Sequence, residues 1–120
     1  MAIKKPKKPV DHVACKGMLR PLLDAVEVLS GRWKMPILQT LMEGNKRFKQ
    51  ISKEVNGISD KVLSKELKEL EINQLIKREV HNTFPPTVEY SITPHGSTLE
   101  KVFFELGTWG LAHRKRIIGK

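Results

Sequence analysis

The stretch from Phe48 to Asn73 constrains the fold more than any other part of the chain. Phe48, Ile51 and Val55 mark a short helix that Asn56-Gly57 ends, and Ser59 then stands where an N-cap belongs. The helix that Ser59 opens runs over about Asp60 to Asn73, with Leu63, Leu67 and Leu70 as its inward stripe. On the opposite side Lys61, Lys65 and Lys68 repeat at the same four-then-three spacing. A short helix, a glycine turn and a second helix with a basic outer face form a helix-turn-helix pattern.

What flanks this pair completes the pattern. Before it, Pro21 opens a helix to about Leu29, stopped near Gly31. The stripe Leu19, Leu22, Leu23, Val26, Leu29 is widened by Pro21, Ala25 and Val28, so more than one neighbour should cover it. Trp33, Ile37, Leu38 and Leu41 mark a second helix, with Pro36 tolerated in its first turn and Gly44 as its stop. After the pair come two β-type runs, Ile76–His81 and Val88–Thr93, joined by a segment whose Pro85-Pro86 excludes a regular ladder. Thr93-Pro94 then caps a long final helix with the stripe Leu99, Val102, Phe103, Leu106, Trp109, Gly110, His113. Phe104 and Leu111 lie on a second side of it, and Trp33 and Trp109 read as core residues. The expected fold is α+β, mostly helical: a winged helix-turn-helix with a two-stranded β-hairpin wing. Its parts are a flexible basic arm over 1–18 and a single domain over 19–120. Within that domain the helix-turn-helix spans about 48–73, the wing about 76–93 and the last helix about 94–117.

Charge says what such a fold would meet. At 120 residues the chain suits one domain with a genuine core, and its net charge of +9 favours a polyanionic partner. The charge is polarised. Residues 1–20 net +5, residues 112–120 net +4, and the body between them is neutral but for a local +4 over 46–78. Three lysines on one helix face are commonly just a solvated surface. Here Ser59, Val62 and Ser64 accompany them near the helix start, and small residues let a helix approach base edges while lysines neutralise phosphates. Arg47 and Lys49 flank the preceding helix as a phosphate clamp would require. At the hairpin tip Lys77, Arg78 and His81 could follow the backbone or a minor groove, with Asn82 and Thr83 as hydrogen-bonding partners, although a plain surface hairpin accounts for them too. Phe84-Pro85-Pro86 reads as stiffening the turn.

Other chemistries find little support. The four histidines are scattered, there is no glycine-rich phosphate loop, and Glu69 and Glu71 fall on different sides of a helix. Neither an enzyme nor a metal site or cofactor is expected; His12 and Cys15 alone make no metal site. No apolar run suits a bilayer, the Lys-rich start lacks a signal peptide's apolar stretch, and one cysteine is compatible with a reducing cytoplasm. Cys15 is the candidate redox residue: Lys16 beside it would favour the thiolate. A lone cysteine near a terminus with no resolving partner is more often incidental.

The residues also carry a family likeness. Gly31-Arg32-Trp33, Ile37-Leu38, Leu41, Gly44, Arg47-Phe48, Gly57-Ile58-Ser59, Leu63 and Leu67-Lys68-Glu69-Leu70-Glu71 resemble the HxlR-type winged helix-turn-helix regulators of bacteria. So do Pro85 to Thr93, with Gly96, Leu99 and Trp109-Gly110, and the likeness spans about residues 20 to 113. It implies a dimeric, DNA-binding transcriptional regulator whose copies join through the first and last helices, and whose helix from Ser59 enters the major groove. Pro21, Ala25, Val28, Phe104 and Leu111 are then the expected dimer contacts. Two positions depart from the family. Redox-sensing members have a cysteine just before the first-helix proline, where this chain has Arg20 before Pro21. Gln74 stands where relatives have glycine after the recognition helix, and Asn73 is expected to take the left-handed conformation in its place.

The leading expectation is a cytoplasmic homodimer that binds a pseudo-palindromic double-stranded DNA site, with no membrane partner and an effector the sequence does not name. Ser59, Lys61, Val62, Ser64 and Lys65 would sit in the major groove while Lys68, Arg47 and Lys49 hold phosphates. The alternatives are a winged-helix protein-interaction module, whose basic face meets an acidic protein, and a non-specific architectural or RNA-binding protein.

Overall fold

Ser59, Thr93 and a set of positive-φ turns divide the chain into its elements. The computed structural model describes residues 12–120, with side chains described from Gly17 onward. The arm as far as residue 11 and the side chain of Cys15 lie outside the described residues. The order is α1 (His12–Val28), α2 (Lys34–Met42), α3 (Phe48–Glu54), α4 (Asp60–Ile72), β1 (Ile76–His81), β2 (Thr87–Ile92), α5 (Pro94–Ser97) and α6 (Leu99–Ile118). Two of these differ from expectation. The first helix begins at His12 and carries Pro21 inside it, so residues 12–18, expected as arm, are helical. The final helix is broken at Thr98 into a four-residue turn of helix and a long helix of 20 residues.

Two compact units result. One runs from Leu29 to Glu100; the other takes in α1 and α6 from Lys101 onward. The first unit holds the core. Ile37, Leu38 and Leu41 of α2 are buried together with Ile51 of α3, Leu63, Leu67 and Leu70 of α4, and Leu75 and Ile76 at the hairpin's base. Val55 and Ile58, on either side of the Asn56-Gly57 turn, close it, and Gly57 has φ +90, a conformation that favours glycine.

The hairpin is antiparallel, in register from Ile76 opposite Ile92 to His81 opposite Thr87. A third segment attaches to it. Lys46 forms an antiparallel bridge with Tyr90, its N–H donating to the Tyr90 carbonyl at 2.9 Å and its own carbonyl accepting from the Tyr90 N–H at 2.7 Å. The loop before α3 therefore holds β2 by its backbone, so the hairpin is hydrogen-bonded to the start of the helix-turn-helix.

After α4 the chain turns at Gln74, which has φ +62. Asn73, expected to take that conformation, has φ −82 and remains at the helix C-cap, its amide donating to the Glu69 carbonyl at 3.1 Å. The reason is in the partners. The Gln74 N–H reaches the Glu71 carbonyl, and the Gln74 carbonyl accepts from the Thr93 hydroxyl at 2.7 Å. The same hydroxyl donates to Leu75 and accepts from the Gly96 N–H at 2.9 Å, capping α5. Gly96 is needed there because a Cβ would lie 2.1 Å from the Leu75 carbonyl oxygen.

The second unit is different in kind. No residue of α6 is buried, and on α1 Met18, Leu19, Leu22, Leu23 and Val26 are exposed. The apolar stripes read on these helices are therefore left largely exposed among the described residues. Val102, Leu106 and Trp109 are exposed; only Leu99, Phe103 and Gly110 of the α6 stripe are half-buried. Trp109, expected in the core, instead stacks face to face on His113 at 4.8 Å. Two helices by themselves supply no opposite wall to bury these residues against.

Candidate nucleic-acid interface

The second helix of the pair is set by its cap. The Ser59 hydroxyl accepts from the Val62 N–H at 3.2 Å, with Asp60 in the first turn to suit the helix dipole. That start fixes which residues face outward. Lys61, Ser64, Lys65 and Lys68 are exposed, Val62 is half-buried, and Leu63, Leu67 and Leu70 turn inward. The expected basic face thus exists as one surface. Ser59 stands exposed at its N-terminal end with one lone pair committed to the cap.

The inward side carries more than leucines. Lys34, at the start of α2, is 6% exposed and donates to Glu66 at 2.5 Å and to Glu69 at 2.8 Å. Burial pushes the Lys34 ammonium down, but the hydrogen bonds and attraction of the two carboxylates outweigh it and hold its pKa above the ordinary value. Glu69 is held below the usual carboxylate range, chiefly by the hydrogen bond from Lys34. These ties fix α4 against α2 at two successive positions on one helix face. The sequence contained the signal. Lys34 falls on the Ile37, Leu38, Leu41 stripe and Glu66 on the Leu63, Leu67, Leu70 stripe, two charges of opposite sign on inward faces.

A second cluster braces the other end of the pair. Lys46 donates to Glu54 at 2.6 Å, to Glu43 at 3.0 Å and to the Thr40 hydroxyl at 3.0 Å. The hydrogen bond from Lys46 is the main cause of a lowered Glu54 pKa, and Glu54 in turn raises that of Lys46. The side chain of Lys46 is therefore turned onto α2 and α3 while its backbone holds β2.

Arg47 and Lys49 are exposed at the start of α3, where the Gln50 side chain accepts from the Arg47 N–H at 2.8 Å. Between them and the wing runs an open groove lined by Asn45, Arg47, Lys49, Gln50, Val88 and Glu89. Its two basic residues, Arg47 and Lys49, suit a sugar–phosphate strand.

The wing needs correction. Lys77 and Arg78 are not at the tip; they sit at the base of β1, opposite Ser91 and Tyr90, and Lys77 pairs with Glu79 at 3.3 Å. His81 is turned across the hairpin to Glu89 at 3.1 Å. The tip itself is uncharged: Asn82 and Thr83 are exposed, and the Thr83 hydroxyl donates to the Pro85 carbonyl at 2.8 Å. Phe84 is fully exposed there. Counting from the strand ends, which the alternation of Val88, Tyr90 and Ile92 marks, would have placed the two basic residues at the base.

Pro21, Ala25, Phe104 and Leu111, the expected dimer contacts, are all exposed, and Val28 is half-buried. Among the described residues no group of His, Cys, Asp or Glu is arranged to hold a metal ion, and no helix is long and apolar enough to cross a membrane.

Known proteins share this arrangement. A family model described as HxlR-like helix-turn-helix matches residues 28–117. The HTH-type transcriptional regulator YdeP of Bacillus subtilis is 38% identical over 97 residues, which is 81% of this chain and 76% of YdeP. Among solved structures, the reduced form of the transcriptional regulator YodB from B. subtilis superposes with a TM-score of 0.74 at 36% identity, covering 83% of this chain and 94% of YodB. The redox regulator HypR in its reduced form gives 0.76 at 32% identity, covering 83% of this chain and 99% of HypR.

Proposed function

The chain belongs to the HxlR-like helix-turn-helix family of DNA-binding transcriptional regulators, and from that premise we propose that it is a cytoplasmic homodimer reading a pseudo-palindromic operator. One observation carries the reading. The side of α4 that bears Lys61, Ser64, Lys65 and Lys68 is exposed, while on the opposite side Leu63, Leu67 and Leu70 are buried and Lys34 ties the helix to α2. A rigid helix with a basic, short-side-chain face is what direct readout in a major groove requires.

In this reading Ser59, Lys61, Val62, Ser64 and Lys65 meet base edges near the start of α4. Lys68, Arg47 and Lys49 neutralise phosphates, the last two along the groove beside β2. The wing contributes through Asn82, Thr83 and Phe84 at its tip. Lys77, Arg78 and His81, within β1 itself, take a backbone role at most. Pro21, Ala25, Val28, Phe104 and Leu111 contribute to the surface shared by two copies, and no catalysis is involved. Redox control is not part of the reading. YodB and HypR are described in reduced and oxidised or diamide-treated forms. This chain has Arg20 before Pro21, and its one cysteine is Cys15.

The test begins with fragments that the protein selects from its organism's own sheared DNA. The protein and a Lys61→Ala/Lys65→Ala variant are then titrated against a selected fragment and a scrambled duplex at several salt concentrations. The variant should lose about 1–3 kcal/mol on the selected fragment for each lysine that reads a guanine edge. A lysine that only neutralises a phosphate should instead lower the salt slope by about one per protomer. Unchanged binding would transfer the basic face to an acidic protein partner.

A further inference from the structure

The lysine face of α4 is tied to its own helix at one point. Lys65 Nζ lies 3.8 Å from Glu69 Oε2, one turn along. The other oxygen of that carboxylate accepts from the buried Lys34 of α2 at 2.8 Å. Exposure rises along the row, from 7% for the Lys34 side chain through 41% for Glu69 to 72% for Lys65. One carboxylate thus links an ammonium in the interior to an ammonium in solvent.

An exposed pair spaced by four residues is ordinarily weak, because two long side chains must be ordered to make it. Here Glu69 is already ordered by Lys34, so only Lys65 has freedom to lose. Lys34 itself cannot follow a ligand outward, since Glu66 holds it from the other side at 2.5 Å. We propose that Lys34 and Glu69 are positioning residues for DNA recognition: Lys34 anchors Glu69, and Glu69 restrains the Lys65 ammonium against contacts that offer it only a phosphate. The proposal rests on the reading of α4 as the DNA-reading helix. On a random duplex Lys65 must leave Glu69 to reach a phosphate, and the Glu69 charge repels that phosphate. On the correct site a base edge meets Lys65 with its stem held along the helix. Non-specific binding therefore loses more than specific binding does, and preference for the operator rises.

The experiment uses the intact protein, a fragment it selects from sheared genomic DNA and a scrambled duplex. Glu69→Gln keeps an acceptor for Lys34 and removes the charge that faces Lys65. It should raise affinity for the scrambled duplex about two- to fivefold and lower the preference for the selected fragment by a similar factor. In a Lys65→Ala background the same substitution should change the preference little. Lys34→Gln, which frees Glu69 from its anchor, should lower the preference in the same sense but by less, with circular dichroism checking that the helices persist. If Lys34→Gln does not fold, the Glu69→Gln pair decides alone. An unchanged preference in Glu69→Gln, or a change that survives at full size without Lys65, overturns the proposal. If Lys65→Ala by itself alters binding to neither duplex, the assignment of Lys65 to DNA fails first, a result distinct from failure of the positioning role.

Discussion

The unit from Leu29 to Glu100 and the pair of helices α1 and α6 use apolar residues in opposite ways. In the first, Ile37, Leu38, Leu41, Ile51, Leu63, Leu67, Leu70 and Ile76 are essentially inaccessible, and the two charges drawn inside, Lys34 and Glu66, meet each other. In the second, Leu19, Leu22, Leu23, Val26, Phe104, Leu106, Trp109 and Leu111 face solvent. An exposed apolar surface on that scale is a binding surface, because leaving it wet forgoes the main driving force of folding. In the proposed reading the first unit carries the DNA-reading face, and it closes its own core. The second leaves its apolar residues exposed among the described residues, and in the proposed dimer a second copy covers them, so that its structure and assembly would be one equilibrium.

If that contrast holds, damage to one unit should not look like damage to the other. The largest effect is expected from Gly96→Ala. The new Cβ would stand 2.1 Å from the Leu75 carbonyl oxygen and 2.8 Å from Ile92 Cγ1, so backbone must move where Thr93 joins the turn after α4 to α5. Denaturant titration should show a loss of about 3 kcal/mol or more. A loss below about 1 kcal/mol would mean that the Thr93 junction yields easily and that the first unit is less rigid than its packing implies. A smaller effect on folding, but a full one on assembly, is expected from Phe104→Asp with Leu111→Asp. Sedimentation should show the dimer shifting to monomer at micromolar concentration, while amides of α2 and α4 keep their protection from hydrogen exchange. Equal loss of protection in both units would break the contrast.

How much of this was legible beforehand follows the same division. The helix-turn-helix and the hairpin could be read because each rests on local signals: Asn56-Gly57, the Ser59 cap, alternation in Val88, Tyr90 and Ile92, and the Thr93-Pro94 start. The Lys61, Lys65, Lys68 face was legible for the same reason, since helical spacing alone places it opposite three leucines. What was not legible depends on contacts between elements distant in sequence. Lys34 reaching Glu66 and Glu69, and Lys46 bridging to Tyr90, are pairings that no window of one helix reveals. Periodicity also gave the wrong burial for Trp109, read as a core residue and found exposed. A stripe shows which residues share a face, and not whether the same chain supplies the wall. The start of α1 was missed because Pro21 resembles a first-turn residue, whereas the helix passes through it.

The smallest effect sharpens the contrast at a single bond, the turn that leaves α4. Gln74 has φ +62, where the Cβ of an L-residue crowds its own backbone and glycine does not. Its side chain is exposed, and what holds the turn is main chain: the Gln74 N–H to Glu71, and the Gln74 carbonyl to the Thr93 hydroxyl. Gln74→Gly keeps both hydrogen bonds and removes the steric cost, while adding some entropy to the unfolded chain. The two terms differ by little, with the steric one larger, so a net gain of about 0.5–1 kcal/mol is expected. For a unit of this size that is a rise in Tm of a few degrees, about 2–8 °C, read by thermal unfolding. Binding to a selected DNA fragment should be unchanged, because Lys61 and Lys65 stand near the other end of α4. A fall in Tm would mean that the glutamine side chain supports the turn through a contact of its own. A change in DNA preference would mean that the turn sets the pitch of α4 in the groove, making the first unit less rigid at that end than Lys34 and its two carboxylates make it.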